Sequence, residues 1–143
     1  MNEFYLLDVN LLLALTDPMH VHHHVAHRWF AKQGALAWAT CPITENGFVR
    51  IASNPKYPNA LDSPVAAMSL LQRFCTHTGH EFLPDSITLY GAVLPNMIFT
   101  HNHVTDVYLL ALAGHHGGKL ATLDRRIPTT AIDKGANLLE LIG

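Results

Sequence analysis

The chain has little charge of either sign, few cysteines and no long apolar run. Charged residues make up only 14% of its 143 positions, and 9 Lys and Arg stand against 11 Asp and Glu for a formal net charge of −2. The broad basic surface of a protein that grips nucleic acid through backbone phosphates is therefore missing. A nucleic-acid substrate would have to be held by a few local Arg and Lys, by a metal, or across a dimer. No apolar stretch approaches the ~20 residues of a membrane-spanning helix. The opening MNEFYLLDVN lacks the basic region and small-residue cleavage site of an export signal, so a cytoplasmic protein with no membrane partner is expected. Cys41 and Cys75 have no CxxC partner, which favours reduced packing thiols over a bridge or a thiolate-built zinc centre. Repeats, linkers and low-complexity tracts are absent too.

What is present is apolar: 49% of the residues are hydrophobic, enough for one globular domain spanning residues 1–143 without disulfide support. Short apolar runs at 4–7, 36–40, 80–83, 119–123 and 138–141 read as strands. Between them lie helix-like segments at 11–15, 20–32, 45–52, 64–75, 87–94 and 106–115. Ser63 before Pro64 is a strong helix start, and Gly117-Gly118 a helix end able to take the left-handed conformation. Thr44 and Thr105 are placed to cap the helices that follow them. Alternating strands and helices predict an α/β fold, a three-layer sandwich whose central, mostly parallel twisted sheet is flanked by helices.

Against this background four carboxylates stand out: Asp8, Glu45, Asp106 and Asp124. Each sits where an apolar run ends or a helix-like run begins, in the strings LLDVNLLLAL, CPITENGFVRI, HVTDVYLLALA and KLATLDRR. Asp8 and Asp124 come off strand ends, while Glu45 and Asp106 open helices, so all four favour the carboxyl edge of the sheet, where open parallel sheets gather functional groups. Two carboxylates ~4 Å apart repel by about 4 kcal/mol at an effective dielectric near 20, and a divalent cation is the obvious means of holding them together. All-oxygen ligands favour Mg²⁺ or Mn²⁺. Taken singly, Glu45 and Asp106 fit helix-dipole partners and Asp124 a turn residue. The remaining acids, such as Glu3, Asp62 and Glu81, fall in turns or strand margins and read as solvated.

Other polar residues carry weaker signals. Asn10 reads first as a helix cap, and otherwise as a contact to metal-bound water. Thr44 and Thr105 are caps first and supports for metal ligands second. Arg125 and Arg126 follow Asp124 directly, where either could clamp a substrate phosphate or offset the acids. The histidines 20, 22, 23, 24 and 27 include i,i+4 pairs but no HExxH glutamate, so the polar face of an amphipathic helix explains them. His103 stands close to Asp106 in the chain, on a loop that reads equally well as surface.

The four strings, in this order and spacing, resemble the PIN-domain ribonucleases, and most closely the VapC toxins of VapBC toxin–antitoxin modules. The resemblance runs from Asp8 to Arg126. It implies a metal-dependent endoribonuclease whose four acids are Asp8, Glu45, Asp106 and Asp124, with Asn10 and Thr105 on polar positions flanking the metal site. It also implies an RNA substrate, a homodimer and a cognate antitoxin. Two other readings are a receiver-like signalling domain with an Mg²⁺ pocket and a DxD phosphatase. The first needs an acid pair near the end of the first strand, and the second needs an acid where this chain has Asn10.

Overall fold

The computed structural model describes residues 3–143. Five short strands, β1 (Tyr5–Leu7), β2 (Trp38–Thr40), β3 (His80–Phe82), β4 (Lys119–Thr122) and β5 (Leu139–Leu141), form one sheet in the order β3-β2-β1-β4-β5. Every neighbouring pair in it is parallel. The helices are α1 (Val9–Thr16), α2 (His23–Lys32), α3 (Pro42–Ala52), α4 (Pro64–Phe74), α5 (Leu89–Ala92) and α6 (Val104–His115).

A parallel sheet must be covered on both faces, and the two-residue period of the strands shows how this is done. Tyr5 and Leu7 of β1, Trp38 of β2 and Ala121 of β4 belong to one core, with Leu11, Leu12, Phe30, Phe48 and Leu71 from α1 to α4. Leu6, Ala39 and Leu120 point the other way, into a core built around α6. Residues Val107 to Ala113 of α6 are all buried, as expected of a helix apolar all round. Its one acid, Asp106, lies in the first turn. Because α6 leads into β4, it runs antiparallel to the strands, and that first turn lies at their carboxyl edge.

Several helix starts differ from the sequence expectation. Helix α1 begins at Val9, and its cap is Asp8 rather than Asn10; an Asp following a buried strand satisfies the first free amide as it leaves the sheet. Thr44 caps α3 from inside the helix, as the N3 partner of a capping box rather than as the N-cap residue. Helix α3 starts earlier, with Pro42 in its first turn and Cys41 at the N-cap, because proline's missing N–H costs nothing there. The Thr44 hydroxyl accepts from the Cys41 amide at 3.0 Å. Thr105 also loses its capping role. A 3₁₀ turn at His101–His103 runs straight into α6, so the N-cap position falls on His103 and Thr105 is an exposed first-turn residue. Helices α2 and α5 are shorter than their periodicity suggested. Gly117 takes a φ of +84° just beyond α6, as expected.

The histidine-rich segment closes α1. His23 Nδ1 and His27 Nε2 lie 2.7 and 3.0 Å from the Ala14 and Leu15 carbonyls, last-turn acceptors that the helix cannot satisfy itself.

Candidate functional site

Strand register sets the first part of the site. Leu7 of β1 pairs with Ala121 of β4, and the Asp8 amide donates to the Ala121 carbonyl at 2.9 Å. Asp8 thereby comes level with Thr122. One Asp8 carboxylate oxygen accepts from the Val9 amide and the other from the Thr122 hydroxyl, both at 2.8 Å. Only 5% of Asp8 is exposed.

Thr122 is the hub. Its hydroxyl donates to Asp8 and accepts from the Asn10 side-chain amide at 3.2 Å and the Asp124 backbone amide at 3.1 Å, which uses its one proton and both lone pairs. The Asn10 oxygen in turn accepts from the Leu123 amide at 3.2 Å, fixing the turn after β4. Asp124 accepts from the Arg126 amide at 2.9 Å and has the exposed Arg126 guanidinium 3.7 Å away. Arg125 donates to the Gly143 carbonyl at 2.6 Å, so of the two arginines Arg126 is the one beside the acids.

Asp106 enters from α6. Its ligating oxygen, one from Asp124 and a ring nitrogen of His103 all lie within 4.8 Å of one another. Burial, then the charges of Asp8 and Asp124, push the Asp106 carboxyl up to about 6, with His103 opposing. Asp8 is raised as well, chiefly by burial, against the Thr122 and Val9 hydrogen bonds. Acids from three separate elements thus meet in a place where the ionised forms of Asp8 and Asp106 are penalised, which a divalent cation would relieve.

Glu45 is held differently. Its carboxylate accepts from the Thr40 hydroxyl at 2.7 Å, and His80 Nε2 lies 2.8 Å from that same hydroxyl. Because Thr40 gives its only proton to Glu45, His80 donates to it. Ligating atoms of Glu45, His80 and Cys75 lie within 4.8 Å of one another. Burial lowers His80 and pushes the Cys75 thiol up to about 11. The structure therefore brings Asp8, Asp106 and Asp124 together and turns the Glu45 carboxylate toward β3.

The residues that sequence reasoning passed over are Thr40 and Thr122. Each is the last residue of its strand and fully buried. A threonine closing a strand reads as an ordinary β-former, and only the partners brought in by the fold reveal its role.

A parallel sheet in this order brings its acids to the carboxyl edge. The family model described as PIN domain matches residues 5–133, and the chain belongs to that family. Within it the chain groups with the VapC ribonucleases. It is 41% identical over 139 residues to Ribonuclease VapC39 of Mycobacterium tuberculosis, covering 96% of this chain and 98% of that protein. Ribonuclease VapC44 of the same organism is 45% identical over 130 residues, covering 89% and 90%. Among solved structures, the M. tuberculosis toxin VapC20, described as cleaving the sarcin–ricin loop, aligns with a TM-score of 0.63 at 12% identity, covering 97% of this chain and 99% of that one. VapBC2 from Rickettsia felis, bound to a DNA fragment from its promoter, aligns at 0.58 and 18% identity, covering 98% and 99%. Neither the receiver-like nor the phosphatase reading gains support. No helix of the described residues is long and apolar enough to cross a membrane.

Proposed function

We propose that this protein is the toxin of a type II toxin–antitoxin module and hydrolyses RNA phosphodiester bonds with Asp8, Glu45, Asp106 and Asp124 as metal ligands. The observation that carries the reading is the convergence of Asp8, Asp106 and Asp124 from β1, α6 and the end of β4, with Asp106 raised to about 6 by burial and by its neighbours' charge. An all-oxygen donor set of this kind fits a hard cation, Mg²⁺ or Mn²⁺. Such a cation, when bound, supplies water activation and offsets the charge that builds on the phosphate and the leaving oxygen.

The chain's own residues do the rest. Thr122 and the Val9 amide hold the Asp8 carboxylate in one orientation, so the ligand needs no ordering when the cation arrives. Asn10 and Thr122 together fix the turn that presents Asp124. Arg126, exposed beside Asp124, is the cation placed to meet an RNA phosphate, which answers the shortage of basic surface. Glu45 completes the ligand set by turning away from Thr40. Thr105, exposed in the first turn of α6, lines a groove with Thr88 and Tyr90 of the α5 region.

The reading extends to partners. The chain acts as a single domain, pairs as a homodimer in the cytoplasm, and is silenced by a cognate antitoxin covering the acidic edge. Solved relatives of this fold are described as VapBC and FitAB assemblies, which supports a two-component arrangement. Sequencing of RNA 5′ ends after expression of the chain, with and without its adjacently encoded partner, tests the proposal. New 5′ ends should appear with the chain alone and vanish with the partner or with Asp106→Asn. Ends that persist in Asp106→Asn sink the assignment.

A further inference from the structure

The Glu45 cluster lies outside the three-acid pocket and has a different chemistry. It offers one carboxylate, one imidazole and one thiol, with ligating atoms within 4.8 Å of one another. These come from three elements: the first turn of α3, the C-cap of α4 and the start of β3. We propose that Glu45, Cys75 and His80 form a second metal centre, selective for a thiophilic cation of the zinc class, whose occupancy holds Glu45 away from the other acids.

Four features support it. The first is the Thr40 hydroxyl, fully buried and touching the whole set: it donates to Glu45 at 2.7 Å, lies 2.8 Å from His80 Nε2, and faces the Cys75 thiol. A buried hydroxyl that orients the ligands from behind is how metal sites fix their donors. The second is strand register. His80 pairs with Trp38 in the sheet, so its ring stands on the same face as Thr40, two residues on from Trp38. The His80 and Trp38 rings pack at 4.6 Å between centroids, which limits how far the imidazole can swing.

The third is access. A cavity of about 620 Å³ between α3 and α4 is lined by Glu45, Arg50, Met68, Gln72 and Cys75. It gives an ion a path in, and a water room for the fourth position left by three protein ligands. The fourth is hardness. A thiolate with an imidazole selects zinc-class ions over magnesium, whereas the Asp8, Asp106 and Asp124 pocket contains no sulfur, so a thiophilic ion prefers the Cys75 site. Tetrahedral bonds of ~2.0–2.3 Å set ligand atoms roughly 3.3–3.7 Å apart, so the set closes onto an ion by side-chain movements of about 1 Å. On binding, the Cys75 thiol proton leaves to solvent, and His80 ligates through the ring nitrogen that carries no proton. The site is mixed, with a single thiolate, which is why no CxxC signature marks it.

The binding site stands on its geometry alone. Its effect on cleavage rests on the reading above, that Glu45 belongs to the catalytic metal ligands. The test is a titration of the full-length, chelator-treated, reduced chain with Co²⁺, read by absorption. The native chain should develop a thiolate-to-cobalt charge-transfer band with tetrahedral d–d bands, saturating at one ion per chain. Cys75→Ser should abolish the charge-transfer band, and His80→Asn should weaken binding about 10–100-fold. Asp106→Asn should leave the band intact. No band in the native chain, a band surviving in Cys75→Ser, or a band lost in Asp106→Asn each overturns the proposal. In a second arm, Zn²⁺ at the saturating level should slow Mg²⁺-supported RNA cleavage at least tenfold in the native chain, with Cys75→Ser relieving it. Inhibition undiminished in Cys75→Ser overturns the effect on Glu45. A chain that binds cobalt but cleaves no RNA leaves the centre standing and sinks the ribonuclease reading instead.

Discussion

Thr122 and Thr40 close β4 and β2, the two strands that flank β1, and both are fully buried hydroxyls that hold a carboxylate. Their surroundings differ. Around Thr122 the fold gathers three acids, partly offset by the exposed Arg126 and by His103, and burial together with their mutual charge raises Asp8 and Asp106. Around Thr40 it gathers one acid, a histidine and a thiol. Similar local geometry thus yields a strained cluster and a relaxed one, and the difference is set by which side chains the neighbouring helices deliver. Like charges held on rigid elements store repulsion that a cation releases, whereas mixed donors settle against one another.

The largest effect that separates the two clusters is on cleavage. Asp8→Asn and Asp106→Asn should each lower RNA cleavage at least ~10³-fold, a loss of about 4 kcal/mol of transition-state stabilisation. Thermal melts in chelator should be unchanged or raised, because repulsion is relieved and Asn serves the N-cap as well as Asp does. Glu45→Gln should also impair cleavage, yet leave the metal-free melt where it was, since the amide oxygen still accepts from Thr40. If Glu45→Gln raises the melt as Asp106→Asn does, the two clusters are not distinct.

The next effect is structural. Thr122→Val removes a hydroxyl with three partners, one of them a buried carboxylate, and should cost about 2–3 kcal/mol in urea unfolding without metal. Thr40→Val, whose hydroxyl serves a less buried pair, should cost roughly 1–2 kcal/mol. Equal losses would remove the contrast between the hubs.

Much of this arrangement was legible in the sequence, and what was not has definite causes. Strand β1 was readable because it is a short apolar run stopped by a polar residue, Leu6-Leu7-Asp8, whereas β3, His80-Glu81-Phe82, carries little apolar signal. The edge was readable because α6 carries its one acid, Asp106, in its first turn and is apolar through its middle. The helix starts at Val9, Pro42 and Val104 were displaced because several capping signals compete within a few residues: Asp8 against Asn10, Pro42 against Thr44, and the 3₁₀ turn at His101–His103 against Thr105. Neither hub threonine could be found from the chain, because a hydroxyl's role depends on partners far away in sequence, such as Asp8 for Thr122. The turning of Glu45 toward His80 was hidden for the same reason. His80 opens a strand, and nothing local says that β3 will pair with β2.

The smallest expected effect is also the sharpest comparison, because the two clusters should respond to pH with opposite signs. Asp106 has an ordinary value of 3.8 and a folded value of about 6. Between those values the folded chain binds more protons than the unfolded one, so metal-free stability rises as pH falls through 6 toward 4. A dry site would give up to ~3 kcal/mol, and solvent screening of this half-buried group brings it to about 1–2 kcal/mol. His80 is lowered by burial from 6.5, against the opposing charges of Glu45 and Glu81, so the folded chain there binds fewer protons than the unfolded one. Stability from that cluster is lost as pH falls below 6.5. Differences between each variant and the native chain isolate each cluster. Urea unfolding in chelator from pH 7 to pH 4.5 should show Asp106→Asn losing the stabilisation that the native chain gains on acidification. His80→Asn should lose part of the native chain's destabilisation instead. Variant curves that run parallel to the native one would mean that the raised Asp106 and the lowered His80 do not contribute opposite pH responses.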